Sequence, residues 1–377
     1  MPKIARVPIT NVYMGGDYTA AILVGPAQKP MNVILDTGSS ALALDGTKYT
    51  PDVAGGDKTT DLAQYDSYGD GSDWTGAVIN TTVTMGAGTS AVTLAGGNVA
   101  VAYEASADMF NTADGILGLA YAPLDNAFTM AGDTWENKYP GTEVEKGQQT
   151  DITPYLTQLA GADVVSDIIS FYTRRSFIHE GGGGASDSLN QGWVIVGGGE
   201  EQTDLYTGAF QTVAVLADDW WNTNLKSVTV GTSAPIPVNA RGATGMPSNS
   251  IVDSGTNSLN LGPKLLKSIK SRLTALQRAQ LTSAIAGHSV AMIDLDLATW
   301  PTISFVLQGA TADVTLAVAP GDYWQVDTGA VGQAAVAITT GQDGLAILGL
   351  PLMNGYFTIF DGEAAAGRGE IRFATRT

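Results

Sequence analysis

Two aspartates, Asp36 and Asp253, sit in copies of one phrase. The first reads Val33-Ile34-Leu35-Asp36-Thr37-Gly38-Ser39-Ser40. The second reads Ser250-Ile251-Val252-Asp253-Ser254-Gly255-Thr256-Asn257-Ser258. Each is an apolar run followed by Asp, a hydroxyl residue, Gly and another hydroxyl residue. A second matched phrase lies further on in each half: Asp114-Gly115-Ile116-Leu117-Gly118-Leu119, and Leu345-Ala346-Ile347-Leu348-Gly349-Leu350. A repeat this long implies duplicated lobes and not a stacked array. It supplies one carboxylate per lobe. Two such acids brought close together would share one proton, because like charges at short range cannot both ionise freely.

Other chemistries are poorly supplied. The chain has 377 residues, no cysteine and two histidines, His179 and His288. That removes disulfides, thiolate zinc sites and cysteine nucleophiles together. Neither histidine lies in a recognisable motif, and both read as surface or loop residues. The segment 66–73 is dense in Asp and Gly, but its spacing does not match an EF-hand loop and the closing Glu is missing. No metal and no cofactor is expected. With 37 acidic against 19 basic residues the net charge is −18, which suits a soluble protein or one adapted to acid and leaves few cations for nucleic acid. No window approaches about 18 uninterrupted apolar residues, so no membrane helix is expected. The first residues carry no apolar signal-peptide core. That implies a chain that stays in the cell, cytoplasmic or periplasmic if bacterial, or a secreted product whose leader has been removed.

The elements that must hold these residues are mostly strands. Short β-branched runs between turn residues predict strands near 7–12, 19–24, 31–35, 78–84, 91–102, 193–196, 225–230, 303–307, 314–318, 336–338 and 356–360. Pro263 followed by Leu265, Leu266, Ile269, Leu273 and Leu276 predicts one amphipathic helix with a solvated face of Lys and Arg. A second helix is expected near 152–159. The polar stretch 131–150 reads as an irregular surface insertion, and Gly181 to Ser186 as a flexible loop with no phosphate-loop Lys after it. The fold class is all-β, with a few short helices.

These phrases together resemble the pepsin-like aspartic proteases. The likeness is collinear over nearly the whole chain. It includes Pro26-Ala27-Gln28 before the first aspartate, and Tyr68-Gly69-Asp70-Gly71-Ser72 with Thr75-Gly76 as a flap hairpin. It continues through Asp114 to Tyr121, Val194 to Gly198, Tyr206-Thr207-Gly208, Leu261-Gly262-Pro263 and Tyr356 to Asp361. The resemblance implies a bilobal fold of two related β-barrel-like lobes with a cleft between them, 1–175 carrying Asp36 and the flap, and 176–377 carrying Asp253. It implies an aspartic endopeptidase in which one aspartate takes a proton from water while the other polarises the substrate carbonyl.

The resemblance also implies roles. Thr37 and Ser254 would cross-link the two loops, Gly38 and Gly255 would bring backbone amides to the carboxylates, and Ser39 and Thr256 would bond their outer oxygens. Tyr68, with Gly69 and Asp70, would close over substrate. Phe110, Ile116, Trp220 and Ile251 would line pockets that prefer large apolar side chains. The implied partners are a peptide or protein substrate and pepstatin-like inhibitors, acting on a monomer at acidic pH. Two departures stand out. Position 43, where the family has the tryptophan that supports the flap tyrosine, is Ala43, and the flap carries an extra residue at Asp73-Trp74, which leaves two alternatives: Trp74 folds inward to replace that contact, or the hairpin is unusually mobile. Having no cysteines and no recognisable propeptide, the chain is expected to be most like the bacterial pepsin homologues. The alternative is a catalytically silent binding or inhibitor protein on the same fold, which typically loses part of one triplet or the flap tyrosine. A carbohydrate-binding protein would rest only on Trp220 and Trp221.

Overall fold

A computed structural model describes residues 2–239 and 242–377. Strands predominate, and the helices are few and short. The chain divides into two compact units. One takes the chain as far as Val7, then Thr19–Ile168 and Ile195–Gly198; the other takes Pro8–Tyr18, Ile169–Val194 and Gly199–Thr377.

In the first unit six strands close into a ring. Asp17–Val24 pairs antiparallel with Lys29–Asp36, which runs parallel to Gly115–Gly118. Gly115–Gly118 is antiparallel to Leu42–Asp45, and that strand is parallel to Val92–Ala105. Val92–Ala105 is antiparallel to Asp73–Met85, whose Met85 returns to face Ile22. Closure leaves no free edge within the ring. Val33, Leu35, Leu44, Val78, Ile79 and Val101, on its strands, are all fully buried. The hairpin of Lys58–Ser67 and Asp73–Met85 projects beyond the ring. Its turn is held by Tyr68 N–H donating to Ser72 O at 2.8 Å and Gly71 N–H donating to Tyr68 O at 3.0 Å.

The second unit contains a five-stranded sheet around Ser250–Val252, a four-stranded sheet of Ile236–Pro237, Leu225–Val230, Ile303–Leu307 and Val314–Val318, and a three-stranded sheet. Tyr356–Asp361 and Glu370–Arg376 form an antiparallel pair. Phe360 of that pair meets Phe171 and Trp221 edge-on, with ring centroids at 5.8 and 5.0 Å.

Several expected elements are redrawn. The helix after Pro263 is two helices, Pro263–Lys270 and Ala275–Ile285. Thr274 caps the second: its hydroxyl accepts from Gln277 N–H, and the Gln277 side chain accepts from Thr274 N–H. Such a reciprocal cap starts a helix afresh, and Leu276 is left 69% exposed. The helix expected near 152–159 is Tyr155–Gly161, with Pro154 at its N-cap, because a residue before proline avoids helical backbone. The insertion 131–150 is not irregular throughout: it holds the helices Thr134–Asn137 and Gly141–Val144 and most of the strand Gln148–Asp151. The run 336–338 is split between strands Gln333–Val336 and Ile338–Thr340. His288 is exposed, while His179 lies half-buried in its loop between Asp187 at 2.5 Å and Asp327 at 3.7 Å.

Candidate active site

Each of the two aspartates ends a buried strand and is held by its own loop. Asp36 closes Lys29–Asp36 and is 5% exposed. Gly38 N–H donates to Asp36 Oδ1 at 2.7 Å, and the Ser39 hydroxyl donates to Asp36 Oδ2. Asp253 follows Ser250–Val252 and is 7% exposed. Gly255 N–H donates to its Oδ1 at 2.8 Å, and the Thr256 hydroxyl donates to its Oδ2 at 2.7 Å. Each carboxylate thus receives an amide on one oxygen and a hydroxyl on the other, which fixes its plane. Thr37 and Ser254, between Asp and Gly, are both buried.

The strands around the two loops follow the same order. Gly115–Gly118 is parallel to the Asp36 strand, with Asp36 opposite Gly118, and antiparallel to Leu42–Asp45. Ala346–Leu348 is parallel to the Asp253 strand, with Val252 opposite Leu348, and antiparallel to Leu259–Leu261. A further strand then runs parallel to the return strand in each case: Val92–Ala105 beside Leu42–Asp45, and Ile338–Thr340 beside Leu259–Leu261. The glycines of the second phrases are sterically required. A Cβ on Gly118 would stand 2.4 Å from Ser40 backbone, and one on Gly349 would stand 2.0 Å from Thr256 O. These phrases also tie the loops down, through Leu119 N–H to Asp36 O at 2.7 Å and Leu350 N–H to Thr256 O at 2.8 Å.

In the hairpin, Tyr68 is half-buried. Trp74 is 1% exposed, and its indole N–H donates to the Tyr68 hydroxyl at 3.1 Å. Position 43 is a fully buried alanine in the strand Leu42–Asp45, so the indole that supports the tyrosine comes from the hairpin's own second strand. The Tyr68 hydroxyl also feels the charges of Asp66 and Asp36. Burial first, then those two carboxylates, hold it well above the usual tyrosine range. Gly69 and Asp70 lie exposed at the turn. The hydroxyl and amide of Ser72 hold the Asp70 carboxyl below the usual range. Of the expected pocket residues, Phe110, Ile116 and Ile251 are 4–5% exposed and Trp220 is half-buried.

Sequence reasoning missed a set of acids behind the hairpin. Asp66 lies directly opposite Trp74, and burial pushes its carboxyl up to about 6. Gln64, two residues earlier and so on the same face, donates to Asp125 Oδ1 at 2.8 Å. Asp125 is 2% exposed, and burial pushes it up to about 8, Asp66 and Asp151 adding to the rise. Asp57, also buried, accepts from Tyr49 hydroxyl at 2.7 Å, from Asp52 N–H at 2.8 Å and from Thr81. The available signal was Gln64 and Asp66 alternating inward along a strand where apolar residues are the norm.

The model of the eukaryotic aspartyl protease family matches residues 17–375. The chain belongs to that family, and it is a peptide hydrolase. It is 24% identical over 372 residues to pepsin A of Callithrix jacchus, covering 95% of this chain and 81% of the relative. It is 24% identical to pepsin A of Sus scrofa, covering 95% and 82%, and 26% identical over 366 residues to pepsin-2B of Gadus morhua, covering 92% and 93%. These relatives are vertebrate pepsins, and they correct the expectation of greatest likeness to the bacterial homologues: lack of cysteine is a poor guide to kinship.

Proposed function

We propose that Asp36 and Asp253 are the catalytic pair of this aspartic endopeptidase. The observation that carries the proposal is that both loops present a buried carboxylate with an amide on Oδ1 and a hydroxyl on Oδ2. The matching strand orders support two related β-barrel-like lobes, 1–175 and 176–377. Thr37 and Ser254 would tie the two loops together. One carboxylate, charged, takes a proton from a water molecule; the other, protonated, donates to the substrate carbonyl as the oxyanion develops. The proton then passes to the leaving nitrogen. No covalent intermediate forms. Phe110, Ile116, Trp220 and Ile251 favour large apolar side chains beside the scissile bond, and a pepstatin-like mimic of the tetrahedral state inhibits the monomeric enzyme. The test is kcat/KM against pH on such a peptide. A bell on the acid side of neutrality is expected, because ionisation of the second carboxylate removes the acid. An optimum at pH 8 with undiminished rate at pH 9 would refute the shared proton.

Tyr68, Gly69 and Asp70 form the flap tip that closes over substrate and excludes water. Tyr68→Ala is expected to lower kcat/KM at least about tenfold, roughly 1.4 kcal/mol of transition-state stabilisation. Trp74→Phe keeps an aromatic ring but deletes the N–H, and is expected to cost about threefold to tenfold. Steady-state kinetics check both. Full activity in Tyr68→Ala would mean that another segment covers the substrate.

A further inference from the structure

The outer strand of the hairpin carries a break near its base. In Lys58–Ser67, Thr59 faces Ile79 and Ala63 faces Ala77, so Thr60, Asp61 and Leu62 stand opposite Val78 alone. Extra residues in one strand lose their partners across the ladder and bend it. Thr60 repairs part of the gap itself: its hydroxyl donates to Val78 O at 2.5 Å and accepts from Leu62 N–H at 3.0 Å.

The rest is repaired from the far side of the strand, by the polar segment that follows Asp125. Met130 N–H donates to Asp61 O at 2.8 Å. The Thr134 hydroxyl, on a fully buried side chain, donates to Leu62 O at 2.7 Å and less closely to Thr60 O at 3.2 Å. Asp133 Oδ2 accepts from the Thr59 hydroxyl, while its Oδ1 caps the helix Thr134–Asn137. Leu62 and Ala63 pair with Thr129 and Phe128, and Gln64 donates to Asp125 Oδ1 at 2.8 Å and to Asn126 O at 3.2 Å. Outward of Gln64 the support changes. Tyr65, Asp66 and Ser67 pair with Thr75, Trp74 and Asp73 of the hairpin's own second strand.

We propose that Thr134 is a positioning residue for the flap. Its hydroxyl fills the break, fixes the base of the hairpin as far as Gln64 and confines movement to 65–73, which carries Tyr68. This rests on the reading of Tyr68 as flap tip. A hairpin with a fixed base loses less freedom when it closes over substrate. Without the clasp, only a fraction of the free enzyme holds the hairpin in the binding orientation. Apparent affinity then falls by that fraction. Turnover of substrate already enclosed stays nearly the same.

Thr134→Val keeps the shape of the side chain and removes the donor. It is expected to raise KM about threefold to tenfold, with kcat within about twofold of wild type. Thr134→Ser returns the hydroxyl and should return KM to within about twofold. Amide hydrogen exchange in the substrate-free full chain should quicken at 58–73 in Thr134→Val by more than it does at 29–36, and recover in Thr134→Ser. Thr59→Val removes the neighbouring tie at a half-buried position, and should move KM the same way by about twofold to threefold; it serves if Thr134→Val does not fold. Unchanged KM in the folded variants, a loss confined to kcat, or exchange quickened equally in both segments would overturn the proposal. The two readings fail separately. A raised KM in Thr134→Val beside a fully active Tyr68→Ala would sink the flap tip and leave the clasp. A normal KM beside a crippled Tyr68→Ala would sink the clasp alone.

Discussion

Asp36→Asn or Asp253→Asn alone is expected to lower peptide cleavage by at least about a thousandfold, and the double variant should be little worse than either single. Groups that act as a unit are not additive. Neither amide can shuttle a proton, so the remaining aspartate has no partner with which to exchange roles. The fold should tolerate the change. In Asp36→Asn, the side-chain oxygen can still accept from Gly38 N–H, while the new NH2 faces the Ser39 hydroxyl, which rotates to accept. The same exchange is open at Asp253, between Gly255 and Thr256. Stability is expected to change by about 1 kcal/mol or less, so loss of activity reports chemistry and not unfolding.

The second large effect concerns stability. The folded-state pKa values of Asp125 and Asp66 are raised to about 8 and about 6. A carboxyl raised in this way stays protonated in the folded chain over a pH range where the unfolded chain has released its proton. Stability is therefore fullest below the ordinary aspartate value and falls as pH rises through the folded pKa. The loss should spread from about pH 4 to pH 8 and reach order of a few kcal/mol. Asp70 and Asp187 have lowered values, from their hydrogen bonds to Ser72 and His179, and oppose this only below about pH 4, where they become protonated. Asp125→Asn keeps an acceptor for Gln64 but cannot ionise. Its Tm is expected to match wild type near pH 4 and to exceed it near pH 7.5. An identical decline of Tm with pH in both proteins would show that Asp125 does not carry the effect.

Legibility from the sequence followed the physics of each part. The two aspartate loops were readable as matched copies because each holds Asp, Gly and hydroxyl groups within four residues, and the chain writes that pattern twice. The contact between Trp74 and Tyr68 was half-readable. Ala43 announces the gap and Trp74 offers the ring, but only the pairing of Lys58–Ser67 with Asp73–Met85 brings the indole to Tyr68. The break after Lys270 was missed although Thr274 and Gln277 spell a capping box, because Leu273 and Leu276 happen to continue the helical spacing. Asp66 and Asp125 were not readable as a pair. They are 59 residues apart, and their coupling depends on which face of a strand turns inward.

The most direct measurement is the turnover of each purified single variant, Asp36→Asn and Asp253→Asn, on a peptide with large apolar residues beside the scissile bond. It should be made at the acid optimum of the wild type, with folding verified on the same sample. Both variants should retain at most about a thousandth of wild-type kcat/KM. A folded variant of either kind that keeps a tenth of the wild-type rate, or about 1.4 kcal/mol of lost stabilisation, would contradict catalysis by this pair.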